Sequence, residues 1–295
     1  LYARVSRIGG FTRLRDTILF GDCRKTIPTI TEPVKMCVTS PPYYGLRDYG
    51  GEENQIGMEE SPEKYVEQLV NVFRSVREVL TDDGTLWLNI GDSYYNYRSD
   101  GNYPKQTVSK TNQDLPSFSP VRGNKLEGYK SKDLIGIPWL LAFALRKDGW
   151  YLRQDIIWNK PNPMPESVRD RCTKSHEYIF LFSKSKNYYF DVDSIKESTI
   201  DGKGLKRKKS VWTVNTKPYK GAHFATFPPE LIEPCIKAGS QKGDIILDPF
   251  IGSGTTGMVS KSLGRHYIGC ELHQSYNDLI QNRVSQYTIN LEDFV

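Results

Sequence analysis

The sequence predicts an α/β fold, a mostly parallel sheet with helices on both faces. Three stretches carry that expectation. Val34-Lys35-Met36-Cys37-Val38 reads as a buried strand and is stopped by Thr39-Ser40-Pro41-Pro42-Tyr43. Ile245-Ile246-Leu247 reads as a second strand; it ends in Asp248-Pro249-Phe250 and turns through Gly252-Ser253-Gly254 into a helix that opens with Thr255-Thr256. His266-Tyr267-Ile268-Gly269-Cys270 reads as a third strand and ends in Glu271. In open α/β sheets, ligands lie just outside the carboxyl ends of the strands, so all three endings are candidate site positions.

Each ending has its own chemistry. Two prolines lack the N–H and fix φ, so the first strand cannot continue. The turn lifts Ser40 and Tyr43 out at the edge and offers a hydroxyl, the Pro41 carbonyl and an aromatic face. Those groups suit a planar base held by its exocyclic amine, although an ordinary Pro-Pro turn explains the prolines equally well. The glycines of the second ending let the backbone approach a ligand closely, and the helix start supplies unpaired N–H groups. It is not a phosphate loop, because the Gly-Lys-Ser/Thr ending is missing. An acid about 20 residues past such a glycine turn is placed to hold ribose hydroxyls, which is the position of Glu271. A nucleoside site without a phosphate requirement points to S-adenosylmethionine.

Taken together, Ser40-Pro41-Pro42-Tyr43 and Asp248-Pro249-Phe250-Ile251-Gly252-Ser253-Gly254-Thr255 resemble the amino-methylating DNA methyltransferases, which modify cytosine at N4 or adenine at N6. The Ser-Pro-Pro-Tyr form is most similar to the N4-cytosine members; adenine enzymes usually carry Asp or Asn at the position of Ser40. The catalytic tetrapeptide precedes the cofactor turn, as in the circularly permuted β group, and the likeness runs from about Asp16 to about Tyr287. The resemblance implies a Rossmann-like methyltransferase fold with a seven-stranded mixed sheet. It implies that Ser40, Pro41, Pro42 and Tyr43 are catalytic, with Ser40 and the Pro41 carbonyl accepting the amine hydrogens and Tyr43 stacking on the base. It implies cofactor contacts from Asp248, Pro249, Phe250, Gly252, Gly254, Thr255 and Glu271. Asp22 would meet the adenine amine and Phe227 the methionine part. It further implies double-stranded DNA as partner, a cognate restriction endonuclease acting on the same site, and no metal.

Composition agrees with one catalytic domain over 1–295. The chain has 295 residues, 38% hydrophobic and 12% aromatic, enough for a single large core. No apolar run approaches the ~20 residues of a membrane span, and Leu1-Tyr2-Ala3-Arg4 does not look like a signal peptide. A cytoplasmic protein of a bacterium, archaeon or phage is expected. The net charge of +5 permits a polyanion partner. Five cysteines without a C-x-x-C pair argue against disulfides and structural zinc. Cys235 follows Pro234, the pattern of C5-cytosine methylation, but lies on an expected helix and reads as a buried apolar side chain.

Along the chain, Asp16-Thr17-Ile18-Leu19-Phe20 is an expected strand, and Asp22 after it can also be read as a helix cap. Tyr44–Gly51 is an expected loop. Ser61-Pro62 opens a helix with Val66, Leu69, Val70, Phe73, Val76 and Leu80 on its inner face, stopped by Asp83-Gly84. Thr85–Ile90 is a buried strand, after which Asp92 either lines the site or caps a loop. Residues 95–132 lose all periodicity and are basic, as a DNA-contact insert would be. A helix from Ile137-Pro138 should turn Trp139, Leu140, Phe143 and Leu145 inward. Strands at Tyr151–Trp158 and Ile179–Phe182 follow, joined through the Asn159–Pro165 loop. His176 and Glu177 look like a catalytic pair, but neighbours on a strand face opposite ways, and structural roles are favoured. The tract 196–222 is a short target-recognition candidate whose Lys206, Arg207, Lys208 and Lys209 would hold phosphates. Helices at 230–238 and 274–287 complete the reading. N6-adenine methylation is the first alternative. An RNA or protein-glutamine methyltransferase, or a DNA-binding relative without activity, are the others.

Overall fold

The computed structural model describes residues 7–8, 11–12, 14–45, 55–95, 126–216 and 227–292. Its main sheet has eight strands: β1 (Thr17–Phe20), β2 (Val34–Thr39), β3 (Leu80–Ile90), β4 (Tyr151–Asn159), β5 (His176–Ser183), β6 (Val211–Thr213), β7 (Ile245–Asp248) and β8 (His266–Glu271). They lie in the order β6-β4-β5-β3-β2-β7-β8-β1. All neighbours are parallel except that β5 runs against both β3 and β4. Every strand but β5 therefore points its carboxyl end to one edge, and β5 delivers its amino end there. The late strands β7 and β8 sit between the early strands β2 and β1, which places the two halves of the permuted motif order side by side.

The helices are α1 (Cys23–Thr26), α2 (Pro62–Val79), α3 (Ile137–Lys147), α4 (Pro229–Gly239), α5 (Thr255–Ser262) and α6 (Asn277–Glu292). Central strands are buried on both faces, which explains why they read as unbroken apolar runs. Cys37, Leu86, Leu88, Phe180, Phe182 and Leu247 pack on the side of α2 and α3. Met36, Val38, Trp87, Ile179, Leu181 and Ile246 pack with α4 on the other side.

Three expectations are corrected. The sheet has eight strands rather than seven; the extra one, β6, is three residues inside the lysine-rich tract. It is held by parallel pairing to Ile157–Asn159 and by burial of Trp212, contacts that no local pattern announces. Helix α2 ends at Val79, not at Asp83-Gly84, because β3 already begins at Leu80. Val34 pairs with Leu80 and Met36 with Thr85, so a bulge absorbs Thr81–Gly84. Helix α3 buries Ile137, Leu141 and Leu145, while Leu140 and Phe143 are exposed. Its apolar residues run round most of the circumference, and periodicity alone did not select the inner face. Of the two readings of Asp92 the cap holds: one carboxylate oxygen accepts from Gly136 N and Ile137 N at the start of α3, at 3.0 and 3.1 Å.

Ser61 does open α2, accepting from Lys64 N at 3.3 Å, with Pro62 in the first turn. Cys235 is fully buried on α4, and burial pushes its thiol far up, as suits an inert apolar side chain.

Candidate active site

The three strand endings converge on one cleft. Its lining includes Ser40, Pro41, Pro42 and Tyr43 from the turn after β2, and Pro249, Phe250, Gly252 and Thr255 from the turn after β7. Glu271 from β8, Asp22 after β1 and Phe227 before α4 complete the set of sequence-predicted positions found there. Two expected contacts are not in the lining, Asp248 and Gly254, and both act behind it.

Asp248 is 1% exposed. Its carboxylate accepts from Thr39 Oγ1 at 2.6 Å, Thr256 Oγ1 at 2.5 Å and Phe250 N at 3.0 Å. One side chain thus ties the end of β2 to the first turn of α5 and to the loop between. Burial pushes the carboxyl up to about 6 against the pull of these donors. Gly254 caps α5 with φ +86°, a left-handed conformation, and a Cβ there would come within 3.0 Å of Ile280 Cγ2 on α6. Glycine is needed for the turn and for the approach of α6.

Glu271 faces the cleft. Burial raises its carboxyl to about 7, opposed by hydrogen bonds from the His273, Gly252 and Leu272 N–H groups. Asp22 lines the cleft and is also the cap of α1. It accepts from Arg24 N at 2.9 Å and grips the Arg24 guanidinium at 2.8–3.0 Å. Burial alone would raise Asp22, but these bonds and the Arg24 charge hold it below the usual value.

The Ser40–Tyr43 turn is fixed from two sides. The buried Tyr65 hydroxyl on α2 donates to the Pro42 carbonyl at 2.8 Å. The Tyr43 hydroxyl donates to Glu177 Oε2 at 2.7 Å. Glu177 also accepts from Asn89 Nδ2 at 3.2 Å and pairs with the Lys160 ammonium. Gly91 makes room for this group: a Cβ there would stand 2.7 Å from Tyr43 Cε2 and 3.3 Å from the Glu177 carboxylate. Burial, followed by the Glu177 charge, pushes the Tyr43 phenol far up, so it stays a donor.

Sequence reasoning discounted Glu177 and did not single out Lys160 or Asn89. Glu177 and His176 do face apart, as strand geometry requires, and the His176 ring stands edge-on to Tyr178. The antiparallel course of β5 is what carries Glu177 to the catalytic edge, and no local signal encodes that course. Also missed were Gln55, Ile56 and Tyr276, which line the cleft.

Lys206, Arg207, Lys208 and Lys209 do not line the cleft. They lead into β6 from its amino end, whereas Ser40 and Asp248 stand at carboxyl ends. Lys206 and Lys208 lie 4.0 and 3.7 Å from Glu197, across the hairpin of Glu197–Ser198 and Leu205–Lys206. Most of the 95–132 insert, residues 96–125, lies outside the described residues, as do 46–54 and 217–226. Among the described residues no cluster of His, Cys, Asp and Glu is placed to hold a metal, and no helix is long and apolar enough to cross a membrane.

Comparisons with known proteins agree with this geometry. Residues 34–282 match the N6/N4 methyltransferase family, described as DNA methylase. The chain is 50% identical over 276 residues to the type II methyltransferase M.Cfr9I of Citrobacter freundii, covering 93% of this chain and 89% of that one. It is 52% identical over 269 residues to M.SmaI of Serratia marcescens, covering 90% of each. Among solved structures it is similar to the cytosine-N4-specific PvuII DNA methyltransferase, with a TM-score of 0.65 at 18% identity over 92% of this chain and 89% of that one. A putative DNA modification methylase from Thermus thermophilus, complexed with S-adenosyl-L-methionine, gives a TM-score of 0.62 at 24% identity over 92% and 93%. The fold is the Rossmann-like methyltransferase fold.

Proposed function

Since the chain belongs to the N6/N4 DNA methylase family, we propose that it methylates the exocyclic N4 amine of cytosine in double-stranded DNA, within a restriction-modification pair whose endonuclease cuts the same site. The observation that carries this reading is the Ser40–Tyr43 turn opening into the same cleft as Gly252 and Glu271. S-adenosylmethionine is the methyl donor, and its sulfonium supplies an electrophilic methyl group. The residues fit it. Glu271 offers a carboxylate to ribose hydroxyls, Phe227 an apolar wall, and Gly252 a backbone without a side chain in the way.

The target amine is a poor nucleophile because its lone pair is delocalised into the ring. Ser40 and the Pro41 carbonyl accept its hydrogens, drawing the nitrogen toward tetrahedral geometry and freeing the lone pair. Tyr43 offers its ring to the base. Holding base and methyl group in line carries most of the rate. The amine is inaccessible inside a duplex, so the base must leave the stack. Tritiated methyl transfer to unmodified plasmid DNA, followed by nucleoside digestion and mass spectrometry, tests the reading. N4-methylcytosine is expected; N6-methyladenine would replace the base assignment and keep the chemistry.

Two further outcomes are expected. Glu271 protonates as pH falls through about 7 and then offers a weaker acceptor to the ribose. Affinity for S-adenosylmethionine should therefore drop roughly tenfold from pH 8 to pH 6 by calorimetry; a flat profile would remove Glu271 from the ribose site. Replacing Lys206, Arg207, Lys208 and Lys209 together by alanine should flatten the slope of log affinity against log salt by about 2 to 4, at roughly 0.9 per phosphate contact. An unchanged slope would exclude this tract from the DNA interface.

A further inference from the structure

We infer that Glu177, Lys160 and Asn89 are positioning residues that hold the Tyr43 ring in place before the target base arrives. This rests on the reading of Tyr43 as the wall on which that base stacks. Tyr43 lines the cleft and is only partly buried, so a ligand can reach it. The turn that carries it is pinned by Tyr65 at the Pro42 carbonyl, one residue short of the ring. That bond does not fix the torsions of the ring itself. A tyrosine free to change rotamer would have to be ordered each time a base entered, and binding would bear that cost. The ring is instead tied at its far end, where the hydroxyl donates to Glu177 Oε2 at 2.7 Å.

Glu177 is a firm anchor because several groups fix it at once. Lys160 pairs with its other oxygen, Oε1, and Asn89 Nδ2 donates to Oε2 at 3.2 Å. Lys160 follows β4, Asn89 lies near the end of β3 and Glu177 near the start of β5, so three strands meet at one phenol. Each helper is itself held. Asn89, 4% exposed, also donates to the Tyr178 carbonyl at 3.1 Å. The Lys160 ammonium lies over the Trp158 ring, 4.2 Å from its centre, and Lys160 N donates to the Ser175 carbonyl at 2.7 Å. Gly91 backs the ring: a Cβ there would stand 2.7 Å from Tyr43 Cε2. The tether at the tip, the backing at the edge and the pinned turn at the root leave the ring one pose. A preset wall lets base and methyl group meet in line without an ordering step. Glu177, Lys160 and Asn89 touch neither base nor methyl donor in this scheme; they act through Tyr43 alone.

That restriction gives the test. Single-turnover methyl transfer to unmodified plasmid DNA, at saturating DNA and donor, is measured for the wild type, Glu177→Met, Tyr43→Phe and the double variant, with S-adenosylmethionine affinity by calorimetry alongside. Phenylalanine keeps the ring and cuts the tether; methionine keeps the bulk of the glutamate and removes the acceptor. Tyr43→Phe should lose roughly 10-fold in rate, with donor affinity within about twofold. Glu177→Met should lose as much, and the double variant should lie within about threefold of Tyr43→Phe. A Tyr43→Phe rate within about threefold of wild type overturns the inference, even if Glu177→Met fails to fold. A Glu177→Met loss that is equally large with and without the Tyr43 hydroxyl also overturns it, because Glu177 then serves the fold through Lys160 rather than the ring. A wild type that binds S-adenosylmethionine and leaves no methylated nucleoside overturns instead the function on which the inference rests.

Discussion

Ser40→Ala is expected to lower methyl transfer about 100- to 1000-fold, the usual cost of removing one aligned hydrogen-bond partner of a reacting group, with S-adenosylmethionine affinity within about twofold. Ser40 lines the cleft on a turn that Tyr65 and Glu177 hold independently of its hydroxyl. Truncation therefore removes chemistry and leaves the scaffold. Single-turnover kinetics with tritiated methyl donor read the first number and calorimetry the second. A rate within a few-fold of wild type would remove Ser40 from the reaction; an intact rate constant with weakened cofactor binding would move it to the cofactor side.

Asp248→Ala should act on the opposite balance. It strands three donors, the hydroxyls of Thr39 and Thr256 and the Phe250 N–H, all at a carboxylate 1% exposed. Each buried unsatisfied donor costs about 1–3 kcal/mol, so a loss of about 3 kcal/mol or more is expected even after partial relaxation. For a chain of this size that is roughly a 6–12 °C fall in melting temperature. The turn after β7 should also lose its shape, so cofactor-induced stabilisation should disappear. Asp248→Asn keeps one acceptor oxygen, and the threonine hydroxyls can turn to meet its amide, so it should cost less. Equal melting temperatures for Asp248→Ala and the wild type would show that the threonines find other partners.

What the sequence revealed and what it hid divide along a physical line. Buried strands announced themselves because β2, β7 and β8 are covered on both faces and are mostly apolar. The Pro-Pro stop, the glycine turn and the Ser61-Pro62 helix start are local backbone chemistry, legible wherever they occur. The site residues that were found sit directly on those punctuation marks. What escaped depends on partners distant in sequence. β6 exists because three residues meet β4. The face of α3 is chosen by the sheet it covers. Asp92 was legible as a cap, but not its donors, which lie 44 and 45 positions away. Asp248 sits in a motif that reads as ligand contact, yet its oxygens are consumed in joining β2 to α5. Glu177 is the clearest case: the correct deduction that it and His176 face apart said nothing about which of them meets Tyr43.

The reversed direction of β5 has a consequence for variation among enzymes of this architecture. Because β4 arrives at the edge that carries Ser40 and β5 departs from it, the whole segment 160–175 begins and ends at that edge. Its base is clasped by a hydrogen bond from Lys160 N to the Ser175 carbonyl at 2.7 Å. Anchored this way, the segment is a replaceable cassette. Doubling the length of a closed loop adds only about 0.6 kcal/mol of closure entropy, and neither strand register nor the Lys160–Glu177 pair needs to move. Met164 at its tip is 84% exposed. The segment can thus vary in length and sequence while the strands beneath it keep their register.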